Sequence, residues 1–120
     1  MALLAPTVQR ILDMQIEWQI DEAGGIAVHF AVQKDPDFLE LPRFGVRLCL
    51  DHALEQVVYS GMGPQESYRD KHRGSSHGRY ESTVTAMHED YIFPQENGSH
   101  YDCDYVEVRY GQALPVINIL

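Results

Sequence analysis

The chain is short of cysteine, short of basic residues and without a long apolar run, and each shortage closes off a class of protein. Cys49 and Cys103 are the only two cysteines. They are too few and too far apart for a disulfide framework. Cys49 lies in an alternating apolar stretch, which predicts a buried free thiol. Nine Lys and Arg stand against eighteen Asp and Glu, giving a formal net charge of −9 and a pI near 4.9. Such a surface repels a phosphate backbone, so no nucleic-acid partner is expected. Four basic residues, Arg69, Lys71, Arg73 and Arg79, do cluster, with His72 and His77 among them. No aromatic RNA-binding signature or Gly-Lys phosphate loop accompanies them. A solvated loop, or ion pairing with the acidic remainder, is therefore preferred to an RNA or phosphate site. No segment approaches the roughly 20 apolar residues that span a bilayer, so no membrane partner is expected. The start, Met1-Ala2-Leu3-Leu4-Ala5-Pro6, has no basic region and too short an apolar run for a signal peptide. A cytoplasmic location is the resulting expectation, and Asn97-Gly98-Ser99 then reads as a turn rather than a glycosylation acceptor.

What is present is strand. A length of 120 residues predicts one domain or a piece of one, and 44% hydrophobic residues suffice for a core. Leu12, Met14, Ile16, Trp18 and Ile20 alternate with Asp13, Gln15, Glu17, Gln19 and Asp21. Period two buries one face and wets the other. Asp21-Glu22-Ala23-Gly24-Gly25 supplies a turn. A second alternation follows, with Ile26, Val28, Phe30 and Val32 on one face, and the two predict a hairpin. Lys34-Asp35-Pro36-Asp37 breaks the pattern. Further strands are expected at 44–50, 54–60, 80–87, 91–93, 101–110 and 116–120. Residues 63–78 are polar and Gly/Ser-rich, which predicts a long loop with one helical turn near Ser67-Tyr68. No helical period, repeat or low-complexity tract appears. Short strands punctuated by turns argue for an all-β antiparallel sandwich.

The polar residues offer little chemistry by themselves. Glu66 and Glu96 would suit a glycosidase pair, but each is better explained as capping its turn by accepting backbone N–H bonds. Of the six histidines, His72 and His77 are five apart with no second ligand pair nearby, so no metal site is expected. His88-Glu89-Asp90 reads as a polar turn ahead of a ligand set or general base. Ser75-Ser76 lacks a nucleophile-elbow context, and Gly61-Met62-Gly63 is followed by Pro64 instead of a phosphate-binding helix. Trp18 shares a face with Ile16 and Ile20, which favours core packing over sugar stacking. Tyr68, Tyr80 and Tyr101 are the better polar contacts.

Three segments carry a more specific signal: Leu41-Pro42-Arg43-x-Gly45, Gly61-x-Gly63-Pro64-x-Glu66-x-Tyr68-x-Asp70 and Pro94-x-Glu96-Asn97-Gly98. In this order and spacing, behind the hairpin, they resemble the small-chain domain of bacterial glycoside hydrolase family 2 β-galactosidases. The resemblance runs through nearly the whole chain and covers the front part of that domain, so residues 1–120 are a single domain or a fragment. It implies a piece of a galactose-mutarotase-like supersandwich packed against a TIM barrel. In the family the barrel bears the catalytic glutamates, the Mg and Na sites and most sugar contacts. A later part of the small-chain domain lends an aromatic residue to the sugar pocket. No residue here matches a family catalytic, cofactor-binding or metal position, so none is expected in this chain. Glu66, Tyr68, Asp70, Glu96 and Asn97 remain as sugar or interface contacts. The family's usual Arg after the Asp of the second motif is replaced by Lys71-His72-Arg73, which moves any ion pair of that Arg to Lys71 or Arg73.

The resemblance implies an accessory, by itself inactive, piece of an enzyme that hydrolyses terminal β-D-galactose residues, as in lactose, with retention. Its expected partners are the catalytic barrel, the galactoside through that barrel, and a second copy if a fragmentary sheet leaves an open edge and an apolar patch. The alternatives are a free-standing carbohydrate-binding β-sandwich, using Tyr101, Tyr105 and the surroundings of Tyr68 and Tyr80, and a mutarotase-like epimerase using His88 or His100 with a carboxylate.

Overall fold

The two alternating stretches near the start pair with each other as their period demands. In the computed structural model, which describes residues 2–4, 10–111 and 117–119, β2 (Arg10–Ile20) and β3 (Ile26–Lys34) form an antiparallel hairpin. Its register runs from Leu12 opposite Lys34 to Ile20 opposite Ile26. Asp21 builds the turn: its N–H donates to the Gly25 carbonyl at 2.9 Å, and its carboxylate accepts the N–H groups of Ala23 and Gly25 at 2.9 and 2.7 Å. β1 (Ala2–Leu4) adds to the other edge of β2.

The register places Ile16 against Phe30 and Trp18 against Val28 on one face. The alternation predicts that face to be buried, and the structure corrects this. Leu12 is buried, but cover is lost towards the turn, until Trp18 is 63% and Ile20 73% exposed. Trp18 is therefore not a core residue. The physical reason is that a sheet buries its apolar face only against a second layer, and the unit that holds the hairpin has a single three-stranded sheet.

The rest of the strands form a second sheet around β4 (Gln56–Gly63), in the order β5 (Ser76–Thr83), β4, β6 (Tyr105–Arg109), β7 (Ile117–Ile119), antiparallel throughout. As an inner strand, β4 supplies most of the core: Val57, Val58 and Tyr59 are buried, with Leu54 and Val108. The chain divides into two compact units, Met1–Arg47 and Leu48–Leu120. Among the described residues every regular element is a strand in an antiparallel sheet, as the all-β expectation requires.

Several boundaries differ from expectation. Residues 44–50 alternate yet join no ladder, and Cys49, expected to be buried there, is an exposed thiol. β5 stops at Thr83, whose hydroxyl accepts the Ala86 N–H at 3.0 Å and whose carbonyl accepts the Met87 N–H at 3.0 Å, turning the chain. Residues 91–93 are loop, not strand, and 101–104 precede β6 in irregular form, with Asp102 at φ 55°. The helical turn expected at Ser67-Tyr68 is instead a two-residue reversal: Tyr68 and Lys71 exchange N–H···O bonds of 2.8 and 3.0 Å. Of the strand expected at 116–120, Val116 and Leu120 lie outside the described residues.

Candidate functional site

The second motif begins at the end of β4, where the chain leaves the sheet through a cis Gly63–Pro64 bond. Gly63 is required by close approach: a Cβ there would collide with the Tyr59 hydroxyl and come within 2.8 Å of the Tyr80 ring. The Tyr59 ring also packs 4.3 Å, centroid to centroid, from His100. Burial, followed by the neighbouring Tyr80 and Cys103, pushes the Tyr59 hydroxyl up to about 12.

Ser67, fully buried, ties this turn to the segment after the third motif. Its hydroxyl donates to the Met62 carbonyl at 3.1 Å and accepts the Tyr101 N–H at 2.8 Å, while its own N–H donates to the Ser99 carbonyl at 2.7 Å. A small hydroxyl meets both needs where the side chain is out of contact with solvent.

Beside it, the Glu66 side chain is only 6% exposed and accepts from four donors. Oε1 takes the Lys71 ammonium at 2.5 Å and the Tyr91 hydroxyl; Oε2 takes the Gly98 N–H at 3.1 Å and the Tyr68 hydroxyl at 3.2 Å. Lys71 also donates to the Tyr91 hydroxyl at 2.7 Å, with its ammonium 5.3 Å from that ring's centre. Burial acts to raise the Glu66 carboxyl. The hydrogen bonds from Lys71, Tyr91 and Gly98 outweigh it and hold the group down at about 2. The same bond to Glu66 raises Lys71. Burial, then the Glu66 charge, raises Tyr68.

Four of the five expected contact residues thus fall in one place. Glu66 and Tyr68 reach the third motif directly, since the Tyr68 hydroxyl also donates to the Glu96 carbonyl at 3.2 Å. Asn97 holds the loop from the other side, its Oδ1 accepting the Glu89 N–H at 3.3 Å. Asp70 stands apart, exposed on the Tyr68–Lys71 reversal. Glu66 does accept a backbone N–H, but from the distant Gly98 and not from its own turn. Gly98 fits this approach through its positive φ of 71° and because a Cβ would lie 2.8 Å from the Met87 carbonyl.

The basic stretch is engaged by acids where partners are seen: Lys71 with Glu66, and Arg79 with Glu81 at 2.8 Å. His72 stacks on Tyr101 with ring centres 5.3 Å apart, and His77 lies 3.3 Å from Asp104. Among the described residues no group of three or more His, Cys, Asp or Glu side chains converges as metal ligands. Ser67 and Tyr91 were not among the expected contacts, and His100 was considered only as an acid or base of an epimerase. The only sequence signal for them is position: Ser67 lies inside the second motif, and the other two flank the third.

Chemically, this arrangement is a clasp. A carboxylate held ionised and saturated with donors has no proton to give near neutral pH and no free lone pair for a substrate. It joins two loops that the sequence separates by about thirty residues.

Residues 2–118 match the family model described as β-galactosidase small chain. The β-galactosidase of Actinobacillus pleuropneumoniae is 42% identical over 106 residues, covering 88% of this chain and 10% of its own length. That of Staphylococcus xylosus is 36% identical over 110 residues, covering 92% and 11%. That of Vibrio cholerae is 35% identical over 108 residues, covering 88% and 10%. The chain spans about a tenth of the length of these curated relatives.

Proposed function

The chain belongs to the β-galactosidase small-chain family, and from that premise we propose that it is a non-catalytic accessory piece of a cytoplasmic β-galactosidase. The observation that carries the reading is the match to about a tenth of each relative. In this reading the catalytic carboxylates, the Mg and Na sites and the galactoside contacts lie in a TIM barrel elsewhere in the polypeptide. That barrel hydrolyses terminal β-D-galactosides with retention, through a covalent glycosyl-enzyme. The clasp supports a structural role for this piece, because the buried carboxylate of Glu66 is committed to holding loops. The open apolar face of the β2–β3 hairpin supports packing against further protein, as in a supersandwich completed by later strands.

The test is hydrolysis of an aryl β-galactoside by the purified chain, alone and mixed with a barrel-bearing polypeptide lacking this region. The expected result is no turnover alone and turnover in the mixture. Turnover by the chain alone overturns the reading. Saturable binding of galactose or lactose without complementation would replace it with a free-standing carbohydrate-binding module.

A further inference from the structure

The loop between β5 and β6 presents two large apolar side chains to water on a frame that is tied down. Ile92 is 93% and Phe93 81% exposed. The residues around them are fixed: the Tyr91 hydroxyl is bound to Glu66, and the Tyr91 N–H donates to the Glu89 carbonyl at 3.0 Å. Glu89 is joined to Asn97, and Gly98 to Glu66. Pro94 follows the pair directly. An apolar pair held this way contributes nothing to burial within the chain, yet the entropy of ordering its loop is already spent by the clasp. That is the condition under which exposed apolar residues act as binding anchors.

We propose that Ile92 and Phe93 are the anchor by which this piece docks on the remaining polypeptide of its own enzyme, entering an apolar pocket with a basic rim. The inference rests on the accessory-piece reading above and deepens it. Two observations select that occupant over a second copy. The relatives carry about ten times this length, so most of the surrounding surface in the enzyme is the remaining polypeptide. The anchor is also preceded by exposed Glu89 and Asp90, the latter 3.3 Å from His88, on a chain of net charge −9. Two copies meeting here would bring like charges together, whereas Lys or Arg around a pocket would be attracted.

The test uses an intact enzyme: the Actinobacillus pleuropneumoniae β-galactosidase carrying this chain in place of its matching segment. Hydroxyl-radical labelling at Phe93 is read by mass spectrometry in this chimera and in the free chain. The expected result is an active chimera with Phe93 labelled about tenfold more slowly than in the free chain, as for a buried interface core. Ile92→Ser with Phe93→Ser should leave the melting of the free chain unchanged and lower that of the chimera. An active chimera in which Phe93 is labelled as fast as in the free chain overturns the anchor and leaves the accessory role standing. An inactive chimera beside an active parent enzyme overturns the accessory role and the anchor with it.

Discussion

Replacing Glu66 by Gln keeps the shape of the clasp and removes its charge. The two oxygens of Glu66 each serve two donors, Lys71 and Tyr91 on one side and Gly98 N–H and Tyr68 on the other. An amide has one acceptor and one donor end, so one side must face donors with a donor. The backbone N–H of Gly98 cannot turn away, so the amide oxygen is expected to stay with it and the NH₂ to face Tyr91 and Lys71. Tyr91 can rotate its hydroxyl to accept, and Lys71, already largely exposed, can swing into water. A bond to a charged group contributes about 1.5–3 kcal/mol. With part of that recovered by solvation, the net cost of Glu66→Gln is about 2 kcal/mol. At about 2 cal/mol/K of unfolding entropy per residue over the roughly seventy residues of the unit that holds the clasp, Leu48–Leu120, this is a fall of about 14 °C in Tm. The assay is thermal melting by circular dichroism between pH 2 and 8. The folded-state pKa of Glu66, about 2, lies below its ordinary value of 4.5. Its contribution is therefore complete above about pH 5 and is lost as the pH falls towards 2. Wild type and variant should differ most at pH 6–8 and converge in acid. Melting within 2 °C of wild type at pH 7, or a gap that persists unchanged at pH 2, would refute the clasp.

Three further outcomes follow from the same geometry. Ser67→Ala removes the hydroxyl that satisfies both the Met62 carbonyl and the Tyr101 N–H, and urea unfolding should show a loss of about 2–3 kcal/mol; a loss under 0.5 would mean that other groups meet those needs. Gly63→Ala drives a methyl into the Tyr59 hydroxyl and the Tyr80 ring, and should cost about 2 kcal/mol in the same assay, with a change in near-ultraviolet circular dichroism reporting the displaced rings. Trp18→Thr with Ile20→Thr, at side chains already largely exposed, should shift Tm by less than about 3 °C while sharply reducing binding of a hydrophobic dye; undiminished dye binding would locate the open apolar surface elsewhere.

The parts of the fold legible in the sequence were those set by neighbours along the chain. Strict alternation predicted the β2–β3 hairpin and the residues that share its apolar face, with Asp21–Gly25 as the turn; which residues lie opposite one another is set by the length of that turn and is seen only in the structure. The same alternation at 44–50 produced no strand. A strand exists only when another backbone pairs with it, and a pattern of side chains carries no information on that partner. Burial failed to be legible for a similar reason: the pattern names the face that seeks cover but not the layer that covers it, as Trp18 shows. At the site, the motifs were visible as turns, while the bonds from Glu66 to Gly98 and Tyr91 span 32 and 25 residues and depend on how the loops return.

The two motifs are therefore better understood as halves of one device than as two turns. Each alone is a loop of poor apolar content, and such a loop gains little by folding. Joined through a buried carboxylate and a buried hydroxyl, they become an extension of the β4 sheet, since Ser67 is bound to the Met62 carbonyl on β4 itself. Proline and glycine in these motifs shape the approach, but the charge on Glu66 closes it. The same contacts hold Tyr91, immediately before Ile92 and Phe93, to Glu66, while those two side chains face water. In an unclasped loop the same two side chains would turn inward onto whatever apolar surface lay nearest.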